Sequence, residues 1–393
     1  MSNILITNLG KGRRNADGYL KIKYRLDENE SRETPFIGQA LLELIPAIDK
    51  VVVLGTAGSI WDAWWQADET LLEKHAEFLT MLSGKVQNEE EDIGALSELA
   101  DILTNHFGKE VQCKYIPDGL DEESQLNILQ VIDNIGAKGD DIYLDVTHGF
   151  RHLPMIELLS AFLKRNDFNI KKIYYGALER SIDGVAPVID LKGLFNLQEW
   201  IEAMSVLRET GNVMPLSRIE SMKGFCADLE QYQFFIQMNN VGNARGCANR
   251  IRGKIKDGDL PAEAILFKAQ LESIFDWGRD QEYANRQLRQ AKRAMQTGDY
   301  LRAIILLNEA VISAWVDDPG KVADIQCRAD AEDKLYKKGG DNWHILRRLR
   351  NSTAHDGMKN DKFEKRIKTM KSSRSNFEKG FGELLKWGEQ QMK

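Results

Sequence analysis

The sequence predicts an α/β domain, a mostly parallel sheet with helices on both faces, followed by an all-α helical domain. Three observations carry this. Up to about residue 195, short apolar runs alternate with helical patterns, the signature of βαβ units. After that point strand signals stop and helical periodicity continues to the end. Charge changes sign in the same region: residues 1–200 carry 20 Lys+Arg against 33 Asp+Glu (net −13), and residues 201–393 carry 33 against 27 (net +6). The expected domains are 1–195 and 196–393.

In chain order, Ile4–Asn8 reads as a first strand and Tyr19–Leu26 as an edge strand or hairpin arm. Phe36–Ile48 has helical periodicity, and Val51–Leu54 is a buried strand running into Gly55-Thr56-Ala57-Gly58-Ser59. Leu71–Leu82, Gly94–Phe107 and Glu122–Ile135 read as helices, with Val111–Ile116 a strand between the last two. Gln87–Asp92 is acidic and reads as a solvated loop. Ile142–Asp145, Lys172–Tyr175 and Val188–Leu191 supply further strands, and an amphipathic helix follows from Leu153. In the second half, Leu197–Arg208, Ile219–Asn239, Ala262–Trp277, Gln281–Gln296, Tyr300–Trp315 and Phe363–Trp387 are predicted helices.

Composition narrows the class of protein. The chain has 393 residues, enough for two or three domains with real cores. No apolar run approaches the roughly 20 residues that span a bilayer. The start, Met-Ser-Asn-Ile-Leu-Ile, has no basic n-region, so no signal peptide is expected. Cys113, Cys226, Cys247 and Cys327 are scattered, which suggests a reducing compartment and neither a zinc site nor a disulfide framework. A cytoplasmic protein is expected. The basic second half suits a polyanion such as RNA, although a solvated helical surface accounts for the same charge.

Three strand-end loops look built for an anionic ligand. The first is Asn8-Leu9-Gly10-Lys11-Gly12-Arg13-Arg14, whose glycines admit a close approach and whose cations suit phosphate. The second is Gly55-Thr56-Ala57-Gly58-Ser59, and the third Thr147-His148-Gly149-Phe150-Arg151. In an open α/β sheet, ligands bind at the carboxyl ends of strands, where such loops gather. No Gly-Lys-Ser/Thr follows a glycine run and no full G-x-G-x-x-G occurs, so mononucleotide-hydrolysing and NAD-dependent enzymes are disfavoured. His148 and His152 lie four apart, but no Cys or Glu completes a metal spacing, and no metal is expected.

Near the C-terminus stands Arg350-Asn351-Ser352-Thr353-Ala354-His355. Arginine is a permanent cation that grips phosphate through a planar fork. Histidine gives and takes protons near neutral pH. Together they form a minimal kit for cutting RNA, whose 2′-hydroxyl is already the nucleophile. Taken alone, the spacing also fits a solvated Arg and a helix-capping His. Arg347 and Arg348 add positive potential or form an exposed stripe. His344 reads as a helix-surface or core residue, and Glu309 as a charged residue that could orient Arg350.

Asp145-Val146-Thr147-His148-Gly149 matches the motif of the CRISPR-associated DxTHG proteins. The segments Val51–Asp62 and Thr34-Pro35-Phe36-Ile37 also resemble that family, whose sensor is a CRISPR-associated Rossmann-fold (CARF) domain. Arg350-Asn351-x-x-x-His355 is similar to the active-site motif of HEPN ribonucleases, the domain commonly fused to CARF. The resemblance implies a Rossmann-like sensor and a HEPN-like helical region. It implies a homodimer, or a higher even oligomer, activated by cyclic oligoadenylate in type III CRISPR antiviral defence. Cyclic tetra-adenylate is the activator taken first, and no other cofactor is implied. The implied activity is metal-independent cleavage of single-stranded RNA by Arg350 and His355 supported by Asn351, with no membrane and no stable DNA binding. Gly10, Lys11, Thr56, Gly58, Ser59, Thr147, His148, Gly149 and Arg151 are the expected activator contacts, with Arg13 and Arg14 matched more loosely. Two rival readings remain: a ring nuclease, and a non-catalytic sensor whose helices bind a partner.

Overall fold

The computed structural model describes the chain except residues 13, 16–17, 68, 356–361 and 393, and describes 14–15, 65–67, 69 and 354–355 by backbone alone. Arg13 therefore lies outside the described residues, as do the side chains of Arg14 and His355. The chain forms two compact units, Met1–Asn196 and Leu197–Lys393.

The first unit is a mixed, mostly parallel sheet. Its strands are β1 (Asn3–Asn8), β2 (Arg14–Asn15), β3 (Gly18–Tyr19), β4 (Lys23–Leu26), β5 (Asn29–Glu30), β6 (Lys50–Gly55), β7 (Glu110–Tyr115), β8 (Asp141–Asp145), β9 (Asn169–Gly176) and β10 (Val185–Asp190). The main sheet runs β5-β4-β10-β9-β8-β1-β6-β7, with β2 and β3 pairing separately. β1 is parallel to both β6 and β8, with Asn8 opposite Leu54 and Ile6 opposite Leu144. The chain therefore leaves β1 toward β6 on one side and reaches β8 on the other, the switch point where such sheets open a crevice.

Alternate residues of the central strands feed two cores, which is why their sequences are almost wholly apolar. Leu5, Val51 and Val53 pack with Phe36, Trp61 and Trp64 on one face. Ile4, Ile6, Val52 and Leu54 pack with Ile128, Ile132 and Leu153 on the other. The helices of this unit are α1 (Ile37–Leu44), α2 (Glu69–Gln87), α3 (Ile93–Phe107), α4 (Glu122–Asp133) and α5 (Leu153–Lys164). The helix predicted over Phe36–Ile48 stops at Leu44, because Pro46 disfavours helical geometry at the residue before it. The strand predicted over Tyr19–Leu26 is interrupted, and only β4 joins the main sheet.

The second unit is helical: α6 (Lys192–Thr210), α7 (Met214–Ser217), α8 (Cys226–Gln237), α9 (Val241–Asp257), α10 (Lys268–Phe275), α11 (Tyr283–Gln296), α12 (Tyr300–Ala314), α13 (Ile325–Lys338), α14 (Gly340–His355), α15 (Glu364–Lys371) and α16 (Arg374–Gln391). α12 is its axis. Ala303, Ile304, Leu307, Ala310 and Val311 are buried, and α11, α13, α14 and α16 pack around them. The single helix predicted over Phe363–Trp387 is two, because Ser373 N-caps α16 by accepting from the Asn376 amide at 3.2 Å. Among the described residues, no helix is long and apolar enough to cross a membrane.

Candidate functional site

The parallel pairing of β8, β1 and β6 brings the three loops after them to one edge. They enclose a cleft of about 160 Å³ lined by Leu9, Gly10, Lys11, Thr56, Ser59, Gly149, Phe150 and Leu153. Two backbones touch at its base: a Cβ on Gly10 would stand 3.0 Å from the Gly149 nitrogen. Gly149 has φ +98°, a conformation that side chains resist.

The hydroxyls of these loops are engaged by the loops themselves and by the end of β9. The Thr56 amide donates to Ser59 Oγ at 2.9 Å, and Ser59 Oγ donates to the Leu9 carbonyl at 2.9 Å. Thr56 Oγ1 lies 3.3 Å from Ser59 Oγ. Thr147 Oγ1 accepts from the Gly176 amide at 2.8 Å. His148 Nε2 accepts from the Ile37 amide at 3.2 Å, satisfying the open N-terminus of α1. Burial pushes the imidazole down to about 4, so it is neutral at pH 7 and serves as an acceptor. Arg151 is exposed, and with Thr147, His148 and Gly58 it lies outside the cleft lining.

Lys11 supplies the cleft's cation. Its Nζ stands 2.5 Å from Glu89 Oε1, and this carboxylate holds the ammonium above its ordinary value. Glu89 also covers Gly58, whose added Cβ would meet the Glu89 carboxyl at 3.0 Å. The loop read as solvated acid thus bridges two of the three loops. Phe150 and Leu153 give the cleft an apolar wall that sequence reasoning did not assign. Phe150 stacks with His152 at 5.8 Å, and His152 Nε2 meets the Asp118 carbonyl at 2.7 Å.

A buried acidic layer supports the third loop. Asp145 is fully buried, accepts from Thr7 Oγ1 at 2.6 Å and from the Thr147 amide at 3.0 Å, and is pushed up to about 6 by burial. Glu157 on α5 is also buried, and burial raises its carboxyl well above the ordinary range. The Asn8 amide pulls it back in part, yet neither side chain completes a hydrogen bond.

In the second unit, α14 buries Trp343, Leu346, Leu349 and Ser352 and exposes Arg347, Arg350 and Asn351. The exposed positions are three and four apart, so they form one stripe. Arg350 Nη1 donates to Asn351 Oδ1 at 3.2 Å. Position 355 follows Asn351 by one turn on the same helix. His344 packs between Tyr336 at 5.0 Å and Phe363 at 5.9 Å, an aromatic setting and not an exposed one. Glu309 does not orient Arg350, because it pairs with Arg328. Among the described residues, no group of His, Cys, Asp and Glu is arranged to hold a metal ion.

Residues 4–179 match the family model described as the CARF domain of the CRISPR system endoribonuclease Csx1. A CRISPR-associated protein of Methanocaldococcus jannaschii is 31% identical over 277 residues, which cover 62% of this chain and 43% of the relative. The chain therefore spans less than half the length of that relative. A structure of Enterococcus italicus Csm6 bound to cyclic hexa-2′-fluoro-hexa-dAMP aligns over all of this chain and 96% of its own, at 12% identity and a TM-score of 0.41. That likeness is too weak to bear on ligand or mechanism.

Proposed function

We propose that this chain, whose residues 4–179 match the model of the Csx1 CARF domain, is a CRISPR-associated single-stranded RNA endonuclease switched on by a cyclic oligoadenylate. The observation that carries the reading is the convergence of three strand-end loops on one cleft with touching Gly10 and Gly149 backbones, a cation and an apolar wall. A nucleotide offers the matching groups, phosphate for Lys11 and a flat base for Phe150. The ligand is a cyclic oligoadenylate, cyclic tetra-adenylate first, bound across a homodimer. No further cofactor takes part.

The chemistry is assigned to the α14 stripe. His355 takes the proton of the ribose 2′-hydroxyl and returns one to the leaving 5′-oxygen. Arg350 stabilises charge developing on the phosphoryl oxygens, and Asn351 holds its guanidinium. In the first unit, Thr56, Ser59 and Thr147 already spend their hydroxyls on loop structure, which favours a sensor over a ring-cutting reading there.

The test is RNA cleavage with and without cyclic tri-, tetra- and hexa-adenylate. One ring size should raise the rate on single-stranded RNA. Cleavage unaffected by every ring would separate the nuclease from the cleft. Disappearance of the cyclic compound in the Arg350→Ala variant would move chemistry to the first unit.

A further inference from the structure

We propose that a cleft between α6, α10 and α11 of the helical unit is a second contact for single-stranded RNA, apart from the Arg350 stripe. The proposal rests on the reading that the chain acts on RNA. The cleft measures about 720 Å³. Arg208 from α6 and Arg289, Lys292 and Arg293 from α11 line it, and no carboxylate does among the described residues. Its apolar lining is the half-buried Ile274, backed by the nearly buried Leu207 and Trp277.

The cations are not equal. Arg289 is met by Asp280 at 3.2 Å and Asp276 at 3.6 Å, and Lys292 by Glu389 at 2.5 Å. Arg208 and Arg293 form no ion pair among the described residues. Among the described residues Arg208 reaches only Ser205 Oγ at 3.4 Å, and Arg293 donates to the Ile274 carbonyl at 3.1 Å. A cavity with surplus cations concentrates a polyanion. Arg289 and Arg293 stand one turn apart on α11, so they address successive groups of an extended chain.

A second observation points to the kind of anion. Gln290 lines the cleft, is only 1% exposed, and leaves its Oε1 without a donor. A buried acceptor without a partner is costly and uncommon. An inorganic anion has little to donate. A ribonucleotide carries phosphate for the arginines, a flat base for the apolar wall, and amine or 2′-hydroxyl donors for Gln290. The combination selects RNA over a simple anion.

The experiment reads the binding of a labelled single-stranded RNA by fluorescence anisotropy, in a full-length chain carrying Arg350→Ala to prevent cutting. Adding R208E and R293Q should weaken binding about tenfold or more and flatten the salt dependence by about one or two units of log–log slope. R208E alone, at an exposed position, keeps the test valid if the pair disturbs folding. K337E makes the same charge change on the exposed face of α13 and should alter affinity less than about twofold. Q290L should raise thermal stability by removing the orphan acceptor and yet weaken RNA binding. DNA of the same sequence should bind less tightly. Equal losses in R208E and K337E, or Q290L binding RNA at full affinity, would overturn the proposal. So would intact RNA binding with lost self-association in R208E, since the cleft would then be a protein contact. Because binding is read without cutting, failure here leaves the nuclease reading standing. RNA held in the cleft of a chain that no activator makes cut RNA would remove that reading alone.

Discussion

Lys11 lies in the candidate cleft with its charge already met by Glu89. An incoming phosphate must compete with that carboxylate, so the pair acts on affinity in opposite directions. Lys11→Ala should weaken activator binding. Glu89→Ala should strengthen it by up to about fivefold, the worth of an exposed ion pair. Calorimetric titration of both variants with cyclic tetra-adenylate checks this, and weakening in both would make Glu89 part of the binding surface. On α14, Arg350→Ala and His355→Ala should each cut RNA cleavage by on the order of 10²–10⁴-fold while leaving fold and activator affinity intact. Near-normal turnover by His355→Ala would remove its role. At this scale the glycines were legible, because a Gly at a strand end marks a close approach whatever surrounds it. The hydroxyls were not: Thr56, Ser59 and Thr147 look the same in sequence whether they face a ligand or, as here, one another and the Leu9 and Gly176 backbones. Glu89 was missed because its partner lies 78 residues away.

Elements show where packing leaves no slack. α1 crosses β1 so closely that a Cβ on Gly38 would stand 2.4 Å from Thr7 Oγ1, the hydroxyl that donates to Asp145. Gly38→Ala should therefore cost about 1–3 kcal/mol by overpacking, read from chemical denaturation. A cost near zero would mean that α1 moves freely over the strand. Glu157 on α5 gives a pH signature. Its carboxyl ionises near 4.3 when unfolded and well above that when folded, so the folded state holds the proton more tightly. Its contribution is full below the unfolded value and is lost as pH rises through the folded one. Asp145, at about 6, acts in the same direction between about 4 and 6. Glu157→Gln should thus gain thermal stability over the parent as pH rises from 4 to 8. A difference independent of pH would show that Glu157 does not titrate with folding. The strands of the switch point were readable because both faces are buried and the sequence is continuously apolar. α9 was not, since Gly242, Gly246 and Gly253 hide a helix whose buried face is Val241, Ala244, Ala248 and Ile251.

For the whole molecule, alternating strand and helix patterns were enough for a mostly parallel sheet, while its edge was not legible, because β10 runs antiparallel to β9 and then pairs in parallel with β4, a segment far away in sequence. On the proposed reading a cyclic oligoadenylate held by the first unit switches on RNA cleavage by the Arg350 stripe, and that chemistry would leave a distinctive product. If the nucleophile is the substrate's own 2′-hydroxyl, activated by the His355 imidazole, the phosphorus is attacked from within the ribose and the 5′ fragment ends in a 2′,3′-cyclic phosphate. A substrate with 2′-deoxyribose or a 2′-O-methyl group at the scissile nucleotide then lacks its nucleophile and should resist cutting. Chelation by EDTA should leave the rate unchanged, because proton transfer and the Arg350 charge need no bound water of lowered pKa. Mass spectrometry of the fragments decides between the routes. A 3′-hydroxyl with a 5′-phosphate, together with loss of activity in EDTA, would mean that a metal-bound water attacks from outside, and the role given to His355 would pass to whatever residues hold that metal.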